Sequence, residues 1–86
     1  MKKISWNIEL SEEAFRDLSN FDVQTSSRII KKLEESAKNP THFFKRLKGQ
    51  DDYKLKIGDY RILALLLHEK NIIFVEKIGH RRNIYK

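Results

Sequence analysis

Cysteine is absent from this 86-residue chain. No disulfide framework and no thiolate metal site can be built, and such a composition fits a reducing compartment. Proline occurs once and glycine three times, which leaves no room for a long flexible linker, and no low-complexity run or internal repeat is visible. Long apolar runs are also lacking: the longest, Ile62 to Leu67, is far too short to cross a bilayer. Met1-Lys2-Lys3 could open a signal peptide, but Trp6, Asn7 and Glu9 interrupt the stretch that follows. These features point to one small cytoplasmic domain over residues 1–86, with no membrane association.

Charge is plentiful and unevenly placed. Residues 1–44 hold seven Lys/Arg and seven Asp/Glu, whereas residues 45–86 hold eleven Lys/Arg and five Asp/Glu. The whole net charge of +6 therefore lies in the C-terminal half. A polyanion is the natural partner of such a surface, because each phosphate contact releases counterions. Solubility alone is the plainer reason for basic charge.

Ile4, Trp6 and Ile8 alternate with polar residues, so Ile4 to Leu10 reads as a first strand. Ser11 is an N-cap with Glu12 and Glu13 in the first turn, where the helix dipole favours acids. This helix presents Ala14, Leu18 and Phe21, with Phe15 alongside. Asp22 starts a second helix running to about Lys38, with Val23, Ile30, Leu33 and Ala37 as its apolar stripe and Ile29 widening it. Asn39-Pro40 ends that helix, and Phe43 to Lys48 is expected to be extended or irregular. Asp52 to Ile57, Tyr60 to Leu67 and Asn71 to Ile78 read as three strands. Gly58-Asp59 joins the first two as a type II′ hairpin loop. The expected fold is α+β, with two N-terminal helices packed on a mainly antiparallel twisted sheet. Trp6, Phe43 and Phe44 are expected in the core, and His42 and His68 on the surface.

The hairpin register predicts a cationic cluster. With Gly58 and Asp59 as the loop, Lys56 faces Arg61 and Lys54 faces Leu63, so that Lys54, Lys56 and Arg61 project from one side. Like charges directly opposite destabilise a sheet by up to roughly 1 kcal/mol, a cost offset when an anion binds between them. Phosphate suits an arginine fork beside lysine point charges. The tail Gly79-His80-Arg81-Arg82-Asn83-Ile84-Tyr85 follows the last strand and would return Arg81 and Tyr85 to the same face. Tyr85 could stack on a base or orient a phosphate, or simply anchor the C-terminus by its ring. His80 is a candidate acid or base, and equally an ordinary surface histidine. Asp51 and Asp52 project in opposite directions on a strand. No HExxH, no spaced acidic set and no Gly-rich phosphate loop occurs, so neither a metal site nor a cofactor is expected.

Three stretches together, Leu47-Lys48-Gly49, Tyr53 through Ile62, and Val75 through Tyr85, resemble the RelE toxins of bacterial and archaeal toxin–antitoxin pairs. The strand–helix–helix opening agrees, so the resemblance covers nearly the whole chain. It implies a metal-independent endoribonuclease that enters the ribosomal A site and cuts mRNA there. The 2′-hydroxyl attacks the adjacent phosphate, leaving a cyclic phosphate and a free 5′-hydroxyl. It also implies roles: Lys54 as general base, Lys56 and Arg61 holding the phosphate, Arg81 stabilising the transition state, and Tyr85 stacking on or orienting the nucleotide. Arg46, Lys48 and Arg82 would grip RNA. The implied partners are a cognate RelB-like antitoxin, the ribosome and mRNA. The chain departs from some relatives in stopping at Lys86 without a C-terminal helix, in the closeness of Tyr85 to Arg81, and in having His80 where some ribosome-cutting relatives have another basic residue. ParE toxins, which act on gyrase, share the fold but generally lack the Lys/Lys/Arg/Tyr set. A non-catalytic RNA-binding module is the other alternative.

Overall fold

The structure, a computed structural model, describes residues 5–84. Its elements are β1 (Asn7–Leu10), α1 (Glu12–Asn20), α2 (Val23–Ser36), α3 (Pro40–Phe43), β2 (Lys45–Arg46), β3 (Tyr53–Ile57), β4 (Tyr60–Leu67) and β5 (Ile72–His80). The strands form a five-stranded sheet in the order β1-β5-β4-β3-β2. The meander β2–β5 is antiparallel, and β1 adds parallel to β5, with Asn7 opposite Ile72 and Leu10 opposite Val75. This is the expected α+β domain, with its mainly antiparallel sheet.

Helix α1 begins because Ser11 is extended and its hydroxyl accepts from the Ala14 amide at 3.0 Å. The same residue fastens the helix to the sheet: its amide donates to the Val75 carbonyl and its hydroxyl to the Glu76 carbonyl. Further along, Asp17 Oδ2 accepts from the Ile78 amide at 3.0 Å. Helix α1 thus satisfies the edge of β5 beyond the last residue of β1, which would otherwise present unpaired backbone groups.

The core lies between the helices and one sheet face. Ala14, Ile29, Leu33 and Ala37 pack over Leu55, Ile57, Ile62, Ala64, Ile73, Val75 and Ile78. Phe44 is buried, while Trp6 and Phe43 are partly buried against the core. His42 and His68 are exposed, as expected.

Three expectations need correcting. The inward stripe of α2 is Ile29, Leu33 and Ala37, whereas Val23 and Ile30 are exposed. The 100° step of the helix puts Ile30 off the face defined by Ile29 and Leu33. Pro40 does more than end α2: it opens the single turn α3, where its missing N–H has no helical partner to lose. That turn takes in Phe43, the first residue of the segment expected to be extended or irregular, and leads into the short strand β2, where Lys45 and Arg46 are extended as expected. The last strand runs on to His80, so Gly79 and His80 belong to the sheet and not to a tail.

Candidate nucleic-acid interface

The β3–β4 hairpin has the expected register: Ile57 opposite Tyr60, Lys56 opposite Arg61, Leu55 opposite Ile62 and Lys54 opposite Leu63. Gly58 has φ +58° while Asp59 does not have positive φ, the combination of a type II′ turn. Because the buried Leu55, Ile57 and Ile62 face the helices, alternation turns Lys54, Lys56 and Arg61 to the other side.

A fourth cation joins them. Lys45 of β2 stands opposite Lys54, so two like-charged pairs, Lys45/Lys54 and Lys56/Arg61, lie on one sheet face. Lys45 escapes sequence reasoning because a two-residue strand has no periodicity to read; recognising the turn around Gly49 would have exposed it. Arg46, in contrast, stands opposite Tyr53 and so alternates to the other side. Its guanidinium is engaged with the Gln50 carbonyl at 3.0 Å and the Asp51 carboxylate at 3.3 Å. Lys48 is exposed in the β2–β3 turn.

Arginines gather around the Gly58-Asp59 turn. Arg61 Nη1 donates to the carbonyls of Gly58 and Tyr60, both at 2.9 Å, which folds its head back over the turn and leaves its other donors for an anion. Arg81, following β5, donates its amide to the Asp59 carbonyl at 2.8 Å and sets Nε 3.8 Å from the Asp59 carboxylate. Arg28 reaches the turn from α2: a Cβ added at Gly58 would sit 2.9 Å from its Nη2. Neither Arg28 nor the Asp59 tether is visible in a one-dimensional pattern, since both are tertiary meetings.

His80 is not brought to the cationic face. It stands opposite Tyr60, on the side shared with Ile78, and the two rings meet edge-on at 5.8 Å. Its Nδ1 accepts from the Arg82 amide at 3.2 Å. Arg82 itself is exposed in the closing turn. Tyr85 lies outside the described residues.

An acidic pair completes the surroundings. The register shift between Leu63 and Ala64 passes from Lys77 to Val75 and leaves Glu76 without a directly opposite residue. Burial raises the Glu76 carboxyl above its ordinary value, helped by a hydrogen bond with the Asp52 side chain and by repulsion from its charge. Among the described residues no three His, Asp or Glu side chains converge as metal ligands. No helix among them is long and apolar enough to cross a membrane.

A family model described as the ParE toxin of the type II toxin–antitoxin system parDE matches residues 8–85. A protein of Methanocaldococcus jannaschii named as toxin RelE1 is 28% identical over 88 aligned positions, covering 96% of this chain and 98% of the relative. The toxin in the Mycobacterium tuberculosis RelBE2 toxin–antitoxin complex superposes with a TM-score of 0.82 at 18% identity, over 95% of this chain and 98% of that one. The intact Escherichia coli RelBE complex gives a TM-score of 0.76 at 25% identity, over 88% and 96% of the two chains. At 18% identity the mycobacterial likeness concerns the fold alone.

Proposed function

Because the chain belongs to the ParE toxin family of type II toxin–antitoxin systems and has the fold of RelE toxins, we propose that it cuts mRNA in the ribosomal A site and so arrests translation. The observation that supports this most is the double opposition of Lys45 to Lys54 and Lys56 to Arg61 on one face. Four cations held against their mutual repulsion make a binding site for a phosphodiester.

The reaction uses these side chains, the RNA and water. The 2′-oxygen forms a bond to the adjacent phosphorus, the bond from phosphorus to the 5′-oxygen breaks, and the products are a cyclic phosphate and a 5′-hydroxyl. Lys54 takes the proton of the attacking hydroxyl, and the departing 5′-oxygen takes a proton from water. Lys56 and Arg61 hold the phosphate, and Arg81 stabilises the charge that develops on its oxygens. Tyr85 stacks on or orients the reacting nucleotide. Lys48 and Arg82 grip RNA beside the site. The alternation of His80 to the opposite side of the sheet supports leaving it out of the proton transfers.

The partners in this reading are mRNA, the ribosome and a RelB-like antitoxin, in the cytoplasm. The antitoxin is inferred from relatives solved in RelB complexes. Exposed Phe15, Val23 and Ile30 on the helices offer it apolar surface.

The decisive experiment is primer extension on mRNA mixed with purified protein, with and without ribosomes halted at a known codon. Cleavage at the A-site codon only when ribosomes are present is expected. Cleavage of naked RNA would keep the nuclease and remove the ribosome from the mechanism. No cleavage by folded protein would favour the second reading, a gyrase-directed toxin, which the description of the matching family model supports. Induced expression would then provoke a DNA-damage response instead of translation arrest. RNA binding that persists without cleavage would leave a non-catalytic module.

A further inference from the structure

The reading as an RNA-cutting toxin accounts for one face of the sheet, and a groove beside it is left without a role. Strand β2 pairs only with Tyr53 and Lys54, so among the described residues no strand lies beside the outer edge of β3 from Leu55 onward. A groove of about 260 Å³ runs along that edge, lined by Lys54, Leu55 and Lys56 on one side and by Lys32, His42, Phe43 and Lys45 on the other. Resting on that reading, the geometry points to this groove as the binding site for an RNA nucleotide next to the two that the scissile phosphate joins.

The first component is charge. Four lysines line the groove and no carboxylate does. Two of them, Lys54 and Lys56, also belong to the cationic face, so a backbone held there continues into the groove without leaving positive potential. Lys32 belongs to α2, so the groove turns around the strand edge toward the helix layer. Its Nζ lies 3.6 Å from Glu35 in an exposed ion pair, a partner that solvent and a phosphate readily compete away.

The second component is an aromatic platform. The single turn α3 is anchored by buried Phe44 and Pro40, which fixes Phe43 half-buried at the groove. Lys32 Nζ stands 5.0 Å from the centre of the Phe43 ring, and the His42 ring meets it edge-on at 5.1 Å. A ring beside a lysine in a lysine-lined groove offers what an unpaired base requires: a stacking surface with phosphate contacts nearby, and no strong sequence preference. The groove is smaller than the roughly 300–1,000 Å³ typical of pockets for drug-sized ligands and suits a single nucleotide. The open backbone of β3 could instead accept an extended peptide, but the charge and the ring favour nucleic acid.

The test is the binding of a dinucleotide and a hexanucleotide of uridine, blocked at the 2′-hydroxyls, to the full chain at low salt, followed by fluorescence anisotropy. Phe43→Leu and Lys32→Gln should each weaken the hexanucleotide about tenfold, with much less effect on the dinucleotide. Phe43→Tyr should retain the affinity, which separates stacking from a packing defect; thermal unfolding checks that each variant is folded. Equal hexanucleotide binding by wild type, Phe43→Leu and Lys32→Gln would overturn the groove, and the nuclease reading would stand if Lys56→Ala and Arg61→Ala still lost binding. Loss of antitoxin binding with RNA binding intact in the groove variants would also overturn it, in favour of a peptide site. Failure of folded wild-type protein to bind either oligonucleotide would overturn the groove, and the nuclease reading would then be decided by cleavage on ribosomes alone.

Discussion

Arg81 is tied twice to Asp59: its amide donates to the Asp59 carbonyl at 2.8 Å, and its Nε stands 3.8 Å from the Asp59 carboxylate. The end of β5 is thereby fastened to the β3–β4 turn, whose Gly58 carbonyl also accepts from Arg61. The side-chain half of this tie is exposed and weak, worth less than about 1 kcal/mol in water. Asp59→Asn should therefore leave the urea midpoint nearly unchanged. A large loss of stability would show that the carboxylate has a structural role beyond the ion pair.

Arg81→Ala should lower cleavage by about two to three orders of magnitude, the scale of removing one preorganised charge-stabilising donor. His80→Ala should cost far less, since His80 faces Tyr60 on the opposite side of the sheet. Single-turnover cleavage on programmed ribosomes decides the comparison, and equal losses would sink the assignment.

Lys56→Thr should raise stability while lowering activity. It relieves the repulsion from Arg61 directly opposite, a gain of up to about 1 kcal/mol that shrinks with added salt. It also removes a phosphate contact. Thermal unfolding at two ionic strengths, alongside cleavage, reads both effects; a stability loss at low salt would contradict the opposed-charge argument.

Gly58→Ala should destabilise by about 1–2 kcal/mol, because φ is +58° and an L side chain pays a steric penalty there. The new Cβ would also press on Arg28, whose flexible end can move. Adding Arg28→Ala should accordingly restore little of the loss. Full restoration in the double variant would assign the penalty to the contact instead of the backbone.

Glu76 gives a pH dependence with a definite sign. Its carboxyl is raised above the ordinary value of 4.5, first by burial and then by Asp52. The folded state therefore binds its proton more tightly than the unfolded chain, so stability falls as pH rises from about that ordinary value through the raised one. Glu76→Gln should raise the melting temperature at neutral pH and change it little in acid below the ordinary value. A gain of the same size at both would refute the charge-based cause.

Much of this protein is determined by neighbouring residues alone. The alternation from Tyr53 to Ile62 and the Gly58 turn dictate a hairpin, and with it the face bearing Lys54, Lys56 and Arg61, because strand period and turn angles are properties of contiguous chain. Ser11 with Glu12 and Glu13 starts α1 by the same local logic. Tertiary structure decided the rest. Tight local turns cannot specify that β1 runs parallel to β5, that Lys45 stands beside Lys54, or that Asp52 meets Glu76 across an intervening strand. Nor could residue type reveal the side occupied by His80, since that depends on β5 continuing in register two residues beyond the expected end. These relationships join residues far apart in the chain. They exist only once the helices have packed on one face and left the other to its cations.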